Sequence, residues 1–395
     1  MTTIKQRVLR FVEACRCGDR NAYRIHPDGP ECLYASCYAA MITHDLGIEL
    51  SESTRQSWIE YIRRFQDPDS GYFLGPELTE GRLKSAAHSR EHLSMHLTAH
   101  VLPALAVLGG TAAHPLRFMD PLLAEAGLRS WLEARDWDHV WIEGNNLLFV
   151  GQFLTYIQAH EQDERIPALM EFFFDWLDAR QDPRTGFWGT DRGARPDVAM
   201  YGAYHQLLLY HCWRRPVRHP QSIIDSTLAL QHFDGGYSRW QDAGTCAMVD
   251  GIDILVNFYK LVDHRRREIR RSLRRAVALI LEKQTPRGGF EDMRGQAFHH
   301  MGMEYTETPV GSGNLFSTWF FTHALCLAGE ILGRELDGLI GPERRFNTEC
   351  SMGWHRPAPK NDRVLHPGRE RYRDAIDIRC RRAVMRVYNT VRPMF

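Results

Sequence analysis

The 395-residue sequence predicts an all-α protein, an (α/α)6 toroid in which six inner and six outer helices form a double ring, with a C-terminal extension. Two observations predict this fold. A short motif recurs along the chain, and amphipathic segments alternate with more apolar ones. Self-similarity at intervals of about 50 residues is typical of helical repeat architectures.

The recurring motif reads QDPDSGYF at 66–73, QDPRTGFW at 181–188, QHFDGGYS at 231–238 and QTPRGGFE at 284–291. The copies start 115, 50 and 53 residues apart, as if a copy near 124–136 had lost its signature. Each copy follows a helical pattern, and its Pro, Asp and Gly residues predict a helix end and a turn. The motif is therefore interpreted as a corner between two helices.

An amphipathic helix precedes each corner, and a more apolar helix follows it. In the first example, capping-type residues at 51–54 precede Trp58, Ile59, Ile62 and Phe65 at helical spacing. The apolar helices are predicted at about 32–46, 88–109, 144–160, 198–213, 246–262 and 314–332. With the N-terminal helix counted as the first amphipathic one, six amphipathic helices alternate with six apolar helices, which is the composition of the toroid.

The toroid is predicted for residues 1–333, and residues 334–395 are predicted to form a C-terminal extension that packs on it. The extension contains a surface-type loop, HRPAPKNDRVLHPG, and a basic helix, RERYRDAIDIRCRRAVMRVY. A packing strap with a solvated face is favoured over a partner-binding element.

Composition argues against several classes of partner. The chain carries 49 basic and 49 acidic side chains, so neither nucleic acid nor an anionic membrane surface is expected as the main partner. No window resembles a secretory signal or a membrane span. The nine Cys form no CxxC pair, which favours reduced thiols and a cytoplasmic location.

The pattern Gln–x–x–Asp–Gly–Gly–aromatic, clearest at 231–237, is similar to the repeat of the terpenoid cyclase and protein prenyltransferase superfamily. The resemblance covers about residues 1–333 and implies a double ring around a central cavity. It is weak for the reaction, because the same scaffold serves glycan lyases, glycan hydrolases, lanthipeptide cyclases and non-enzymatic domains.

The resemblance implies two catalytic signatures, and this chain departs from both. Asp250 and Gly251 match the Asp-Gly of the prenyltransferase zinc site, but Ile252 replaces the Cys thiolate, and His323 is one residue out of register. Protein prenylation and a zinc site are therefore not expected.

The second signature is the Asp-x-Asp-Asp of class II terpene cyclases, which usually follows a Pro. Pro196 and Asp197 are present, but Ala199 and Met200 replace the proton donor and its neighbour. Motifs of the DDxxD type are absent as well, so no magnesium-dependent ionisation of a diphosphate is predicted.

Polar and aromatic residues near the start of the inner helices are expected to face the cavity. They are Tyr34, Tyr38, His88, His92, His96, His100, Glu143, Asn145, Asn146, Tyr201, Tyr204, His205, Asp250, Asp253, Asn257, Asn314, Phe316, Ser317 and Trp319.

The four His at 88, 92, 96 and 100 form a ladder, because steps of four keep neighbours on one helical face. Two adjacent members match a metal-ligand spacing, but no third ligand is placed by the sequence. Hydrogen bonding within a polar cavity is favoured, and neither a metal nor another cofactor is predicted.

Asp250, Asp253 and Asn257 share one helical face in mostly apolar sequence. Two close carboxyl groups split their pKa values, so that one stays protonated near neutrality and can act as an acid. An equally weighted alternative is that the two Asp bond the preceding loop or pair with Arg.

Tyr201 and His205 also share a face, and with Asn145 or Asn146 they would form the Asn/His/Tyr set of a polysaccharide lyase. The long polar loop at 289–314 holds His299, His300 and Glu304 directly before the last inner helix. Loops of this length are more often functional than idle, so it is predicted to be a lid.

Three functions remain open at this stage. The first is acid/base chemistry on an isoprenoid-like or other apolar small molecule, with Asp250 or Asp253 as acid and Tyr34, Tyr201, Phe316 and Trp319 shaping the cavity. The second is a glycan lyase or hydrolase that acts on an oligosaccharide through Asn145, Tyr201 and His205, or through the same carboxylates. The third is a toroidal scaffold that binds a partner without catalysis. His88, His92, Asn146, Glu304 and Asn314 are further candidates for substrate binding.

Overall fold

The computed structural model describes residues 3–18, 21–83, 88–333 and 336. The predicted C-terminal extension, apart from Leu336, lies outside the described residues. Within them the fold is all-α, as predicted, and its only paired strands are two strands of two residues each.

The α-helices are α1 (Ile4–Ala14), α2 (Leu33–Asp45), α3 (Glu52–Arg63), α4 (Glu80–Leu83), α5 (Arg90–Leu108), α6 (Glu125–Glu133), α7 (Val140–Glu161), α8 (Ile166–Asp178), α9 (Pro196–Cys212), α10 (Pro220–Ala229), α11 (Thr245–Leu261), α12 (Arg266–Glu282) and α13 (Leu315–Leu332). The strands β1 (Phe298–His299) and β2 (Glu307–Thr308) pair in antiparallel fashion between α12 and α13.

Six of these helices contact one another in a closed cycle. In order around it, α2 packs on α5, α5 on α7, α7 on α9, α9 on α11, α11 on α13, and α13 on α2. The remaining long helices lie against this cycle: α3 on α5, α8 on α7, α10 on α11, and α12 on both α11 and α13. The contacts follow the order that a double ring of inner and outer helices requires.

Burial separates the two sets of helices. In α2 every side chain from Leu33 to Thr43 is buried, whereas α12 buries only one face, which includes Ile269, Leu273 and Ile280. Helices that are apolar all round lie inside a protein, and amphipathic ones cover it. Among the helices of the described residues, α13 alone is long and apolar enough to cross a membrane, and 89% of it is buried, as in the core helix of a globular fold.

The corner glutamines explain why the motif begins with Gln. Gln181 Nε2 donates to the carbonyl oxygen of Gly186 at 2.8 Å and to that of Arg218 at 3.0 Å. One side chain thereby closes its own turn and joins it to the segment before the next outer helix. Gln66 bonds Gly71 and His114 in the same way, and Gln231 bonds Gly235 and Ser272.

The fourth corner joins the end of the repeats to their beginning. Gln284 Nε2 donates to Gly288 O at 2.9 Å. Gly288 has a φ of +100°, and a Cβ there would lie 2.3 Å from the carbonyl oxygen of Arg7 in α1. Arg287 also pairs with Asp28 at 2.8 Å. The first outer helix therefore packs directly against the last corner.

Glycine also allows two inner helices to touch through their backbones. A Cβ at Gly202 of α9 would lie 2.5 Å from Val140 O of α7, and one at Gly144 would lie 2.6 Å from the Gly202 Cα. Real side chains do not approach backbone atoms so closely. This contact brings the N-terminal turns of α7 and α9 together at the end of the ring where the predicted site residues lie.

Candidate functional site

A cluster of Tyr and His side chains links α2 to α5. The Tyr34 hydroxyl bonds His96 Nδ1 at 2.7 Å, and the His96 and His100 rings stack with centroids 4.3 Å apart. His100 Nδ1 donates to the His96 carbonyl oxygen at 2.7 Å. Burial lowers the pKa of His100 to about 4 and that of His96 well below its usual range. Both imidazoles are therefore neutral at physiological pH.

His300, from the loop between α12 and α13, completes this cluster. It is only 2% exposed, and its Nε2 atom bonds the Tyr38 hydroxyl at 2.8 Å. Trp319 of α13 stacks on Tyr38 at 5.1 Å, and Phe316 lies 4.6 Å from the His300 ring. Burial, followed by the neighbouring His100, lowers the pKa of His300 well below normal. The loop thus inserts a neutral imidazole among aromatic side chains of the inner helices.

A second group of polar contacts continues from the His ladder to α7. His92 Nδ1 lies 2.8 Å from Asn146 Oδ1, and Asn146 Nδ2 donates to Glu143 Oε2 at 3.0 Å. Arg135 donates to the same Glu143 oxygen at 2.9 Å. Because the amide nitrogen of Asn146 donates to Glu143, its oxygen accepts a hydrogen bond from His92 Nδ1–H, which leaves His92 Nε2 as an acceptor. That nitrogen has no hydrogen-bond partner in the described part of the chain.

Asn145, one residue earlier, makes a different contact. Its Nδ2 atom donates to Trp141 O of its own helix at 3.1 Å. The Tyr201 hydroxyl donates to Tyr237 O at 3.2 Å, and burial raises the pKa of Tyr201. Asn145 and Tyr201, two residues of the predicted Asn/His/Tyr set, thus donate to backbone carbonyl oxygens. This geometry does not support lyase chemistry by that set.

His205 is held in a defined tautomer. Its Nδ1–H donates to Tyr201 O at 2.6 Å, so Nε2 is the acceptor nitrogen. Burial lowers the pKa of His205 to about 4, and the charges that His100 and His92 would carry across the ring act in the same direction. His205 is therefore a neutral imidazole whose basic nitrogen is the one turned away from its own backbone.

The carboxyl pair of α11 is buried, with Asp250 1% and Asp253 2% exposed. Asn257 Nδ2 donates to Asp253 Oδ1 at 2.9 Å. Asp250 Oδ2 has no hydrogen-bond partner among the residues that the structure describes. Burial, followed by the charge of Asp253, raises the pKa of Asp250 well above its usual range. The surroundings of Asp250 thus favour its protonated form over the carboxylate.

The residues of the two family signatures have other roles. Gly251 lies against the ring of Tyr237, where a Cβ would come within 2.3 Å of Cγ, so this glycine serves corner packing. His323 Nδ1 bonds Asp45 Oδ2 at 3.2 Å, and Asp197 pairs with Arg195 at 2.9 Å. In the described ranges no group of three His, Cys, Asp or Glu side chains is arranged to hold a metal ion.

Three other candidates lie at the edge of this region or play local roles. Glu304 is exposed at the surface. Asn314 is fully buried and caps α13, with its Oδ1 atom accepting the Ser317 N–H at 2.8 Å. The half-buried His88 ring lies 5.0 Å from the ring of His92, measured between centroids.

A surface cleft of about 370 Å³ near the C-terminal ends of α2 and α5 contains none of the predicted site residues.

Several interior residues were not singled out by the sequence as cavity residues. One is His300, which the sequence placed only in a polar loop. Others are Gln152 of α7 and Gln206 of α9, which are 2% and 1% exposed and whose amide atoms lack partners within the described chain. Both interrupt runs of buried, mostly apolar side chains, so a polar residue inside an apolar helix was the available signal.

Comparisons with known proteins give a likeness of fold only. No family model and no curated protein sequence matches the chain. Among solved structures it resembles ent-copalyl diphosphate synthase from Streptomyces platensis, with 16% identity and a TM-score of 0.47, over 75% of this chain and 50% of that one. It also resembles a protein from Actinoplanes, with 13% identity and a TM-score of 0.43, over 83% of this chain and 98% of that one. The chain thus spans about half the length of the synthase.

Proposed function

We propose that this protein is an enzyme that uses the interior of the helical ring for acid/base chemistry on an isoprenoid-like or other apolar small molecule. Asp250 is the acid. The observation that carries this proposal is the state of its carboxyl group, which is buried, raised in pKa and left with an unpartnered oxygen. A carboxylic acid kept protonated at neutral pH can protonate a weak base such as an alkene.

The residues around Asp250 and Asp253 indicate different roles for the two carboxyl groups. Asp253 Oδ1 accepts a hydrogen bond from Asn257 Nδ2 at 2.9 Å, which favours the charged form of Asp253. A charge on Asp253 makes loss of the Asp250 proton more costly. Asp253 is therefore the positioning residue that keeps the proton on Asp250, and Asp250 is the donor.

The aromatic cluster of α2 and α13 supports a cationic intermediate. Tyr34, Tyr38, Phe316 and Trp319 are each at most 5% exposed. Aromatic faces attract positive charge, and the attraction grows when water is excluded. An interior that contains these rings and neutral imidazoles can stabilise a carbocation without trapping it with water.

The proposed reaction balances without a co-reactant. Asp250 transfers its proton to one carbon of an alkene, which forms a C–H bond and leaves a carbocation on the adjacent carbon. A second double bond attacks that cation and closes a ring. His205 Nε2 then removes a proton from the carbon next to the new cation, which forms a C=C bond. Between turnovers His205 releases this proton to solvent and Asp250 takes one up, so both groups return to their starting states. His205 suits this role because it is neutral, with a pKa of about 4, and its helix packs on that of Asp250.

The test is turnover of acyclic polyprenyl alcohols and diphosphates in D2O, with products identified by mass spectrometry. Wild-type protein should release a cyclic isomer that carries one deuterium atom, because the acid exchanges its proton with solvent between turnovers. Asp250→Asn should lose this product while its circular dichroism spectrum stays unchanged, and Asp250→Glu should recover part of it. Full activity in Asp250→Asn, or a cyclic product without deuterium, would rule out the acid assignment.

A further inference from the structure

The turn that delivers His300 into the ring is conformationally unusual. His300–Gly302 form a single 3-10 turn in which Met301 has φ 52° and ψ 29°. Non-glycine residues rarely adopt this left-handed conformation, and they keep it only where the surroundings hold it in place. The insertion of His300 is thus maintained against a local backbone preference at Met301.

The space that His300 fills is bounded by aromatic rings. The Tyr34 ring stands perpendicular to the imidazole with centroids 4.6 Å apart, and the Phe316 ring lies at the same distance. The Tyr38 hydroxyl supplies one polar contact. His96, whose imidazole is neutral, lies 5.7 Å away. This seat fits a flat group or a compact cation of imidazole size.

Segment 298–308 buries Met303, Thr306 and Thr308 together with His300, and it makes further polar and aromatic contacts with the ring. Tyr305 donates to Glu31 O at 2.8 Å, and the Arg82 guanidinium lies 3.7 Å from the Tyr305 ring centroid. The His26 ring bonds Glu307 O at 3.0 Å, and Phe298 stacks on Phe316. None of these contacts belongs to the packing between inner helices. Because the cycle of contacts among the inner helices does not include segment 298–308, withdrawal of the segment leaves that cycle closed.

We propose that the seat of His300 is a ligand subsite and that segment 298–308 is the gate through which the ligand enters. When the gate opens, His300 leaves the seat, and a cationic or unsaturated apolar group of the ligand takes its place against Tyr34, Tyr38 and Phe316. The gate follows from the geometry alone. The ligand class rests on the proposed function, since it is the cation formed there that the aromatic seat would hold.

Amide hydrogen exchange tests the gate without any assay of activity. A local opening predicts that peptides from 298–308 exchange at least about 100-fold faster than those of α13. Met301→Val, which places a β-branched residue in the left-handed conformation, should speed exchange of 298–308 about tenfold and leave α13 unchanged. Val310→Ala, an exposed position of the same loop, is the matched control and should change neither. Exchange of 298–308 at the same rate as α13 would overturn the gate.

Calorimetric titration with benzyltrimethylammonium tests the subsite. A ligand that must first expel His300 binds with an affinity reduced by the cost of opening, and His300→Ala removes that cost. The variant should bind the probe at least about tenfold more tightly than wild type, while Val310→Ala should match wild type. Equal affinities, or no binding to either protein, would overturn the subsite. Because neither experiment measures turnover, a negative D2O assay with positive results here would reject the reaction and retain the gate.

Discussion

The protonation state of Asp250 can be tested through stability alone. Burial and the charge of Asp253 raise the pKa of this carboxyl well above its usual value in the folded chain. In the unfolded chain the same group ionises near pH 4. Between these two pKa values the folded protein holds one more proton than the unfolded protein does, so folding becomes less favourable as pH rises. Asp250→Asn removes this penalty while keeping the shape of the side chain.

The expected magnitude follows from linkage. Each pH unit over which the folded carboxyl keeps a proton that the unfolded one has lost lowers the free energy of unfolding by about 1.4 kcal/mol. The difference between Asp250→Asn and wild type should therefore increase by about 1.4 kcal/mol per unit above pH 4. It should level off only when the pH reaches the pKa of the folded group.

Urea denaturation of both proteins at pH 4.5, 5.5, 6.5 and 7.5 measures this slope. Asp263→Asn is the matched control, because the Asp263 side chain is 92% exposed and its difference from wild type should stay nearly constant with pH. A flat difference for Asp250→Asn as well would mean that Asp250 is ionised in the folded protein. Both the pKa assignment and the proposed acid would then be refuted.

Three further predictions concern the structure around the site. Gln181→Ala removes the donor to two corner carbonyl groups and should lower the free energy of unfolding by about 2 to 3 kcal/mol in urea, against less than about 0.5 kcal/mol for the exposed Gln56→Ala. Gly202→Ala should cost about 3 kcal/mol by the same measurement, because its methyl group would overlap the backbone of α7. Burial opposes the charge of His323, but Asp45 more than offsets it and raises the pKa of His323. This pair therefore stabilises the fold below about pH 6.5 and loses its effect as pH rises through the folded pKa. Asp45→Asn should accordingly destabilise more at pH 5.5 than at pH 9, and an equal effect at both would contradict the ion pair.

The order of the helices along the chain could be predicted because local residue patterns determine where helices and turns form. The last inner helix was expected at about 314–332 and is observed at Leu315–Leu332. The corner copy that was expected near 124–136 is not there, because the helix α6 occupies Glu125–Glu133 and the chain turns after it. Turn residues and the spacing of apolar residues determine local structure over a few positions, so both signals can be identified in a single sequence.

The site was less predictable because it depends on the direction in which each side chain leaves its helix and on contacts between residues far apart in sequence. Asn145 and Asn146 differ by one residue, which is about 100° around a helix, and this difference decides that Asn146 bonds His92 while Asn145 bonds its own helix. His300 enters the ring through a left-handed Met, a conformation for which the sequence offers no glycine signal. The carboxyl pair was found because its spacing on one helix is a local property.

The contacts between the gate segment and residues 26–38 have a consequence for how the chain folds. Tyr38 and His300 are 262 positions apart in sequence, Glu31 and Tyr305 are 274 apart, and His26 and Glu307 are 281 apart. Pairings of such long range carry a high loop-closure cost and tend to form late. During synthesis, the Tyr38 hydroxyl therefore lacks its His300 partner until the last part of the ring is made, so nascent chains that stop before residue 298 should be prone to aggregation. The final step of folding is then also the step that completes the Tyr and His cluster.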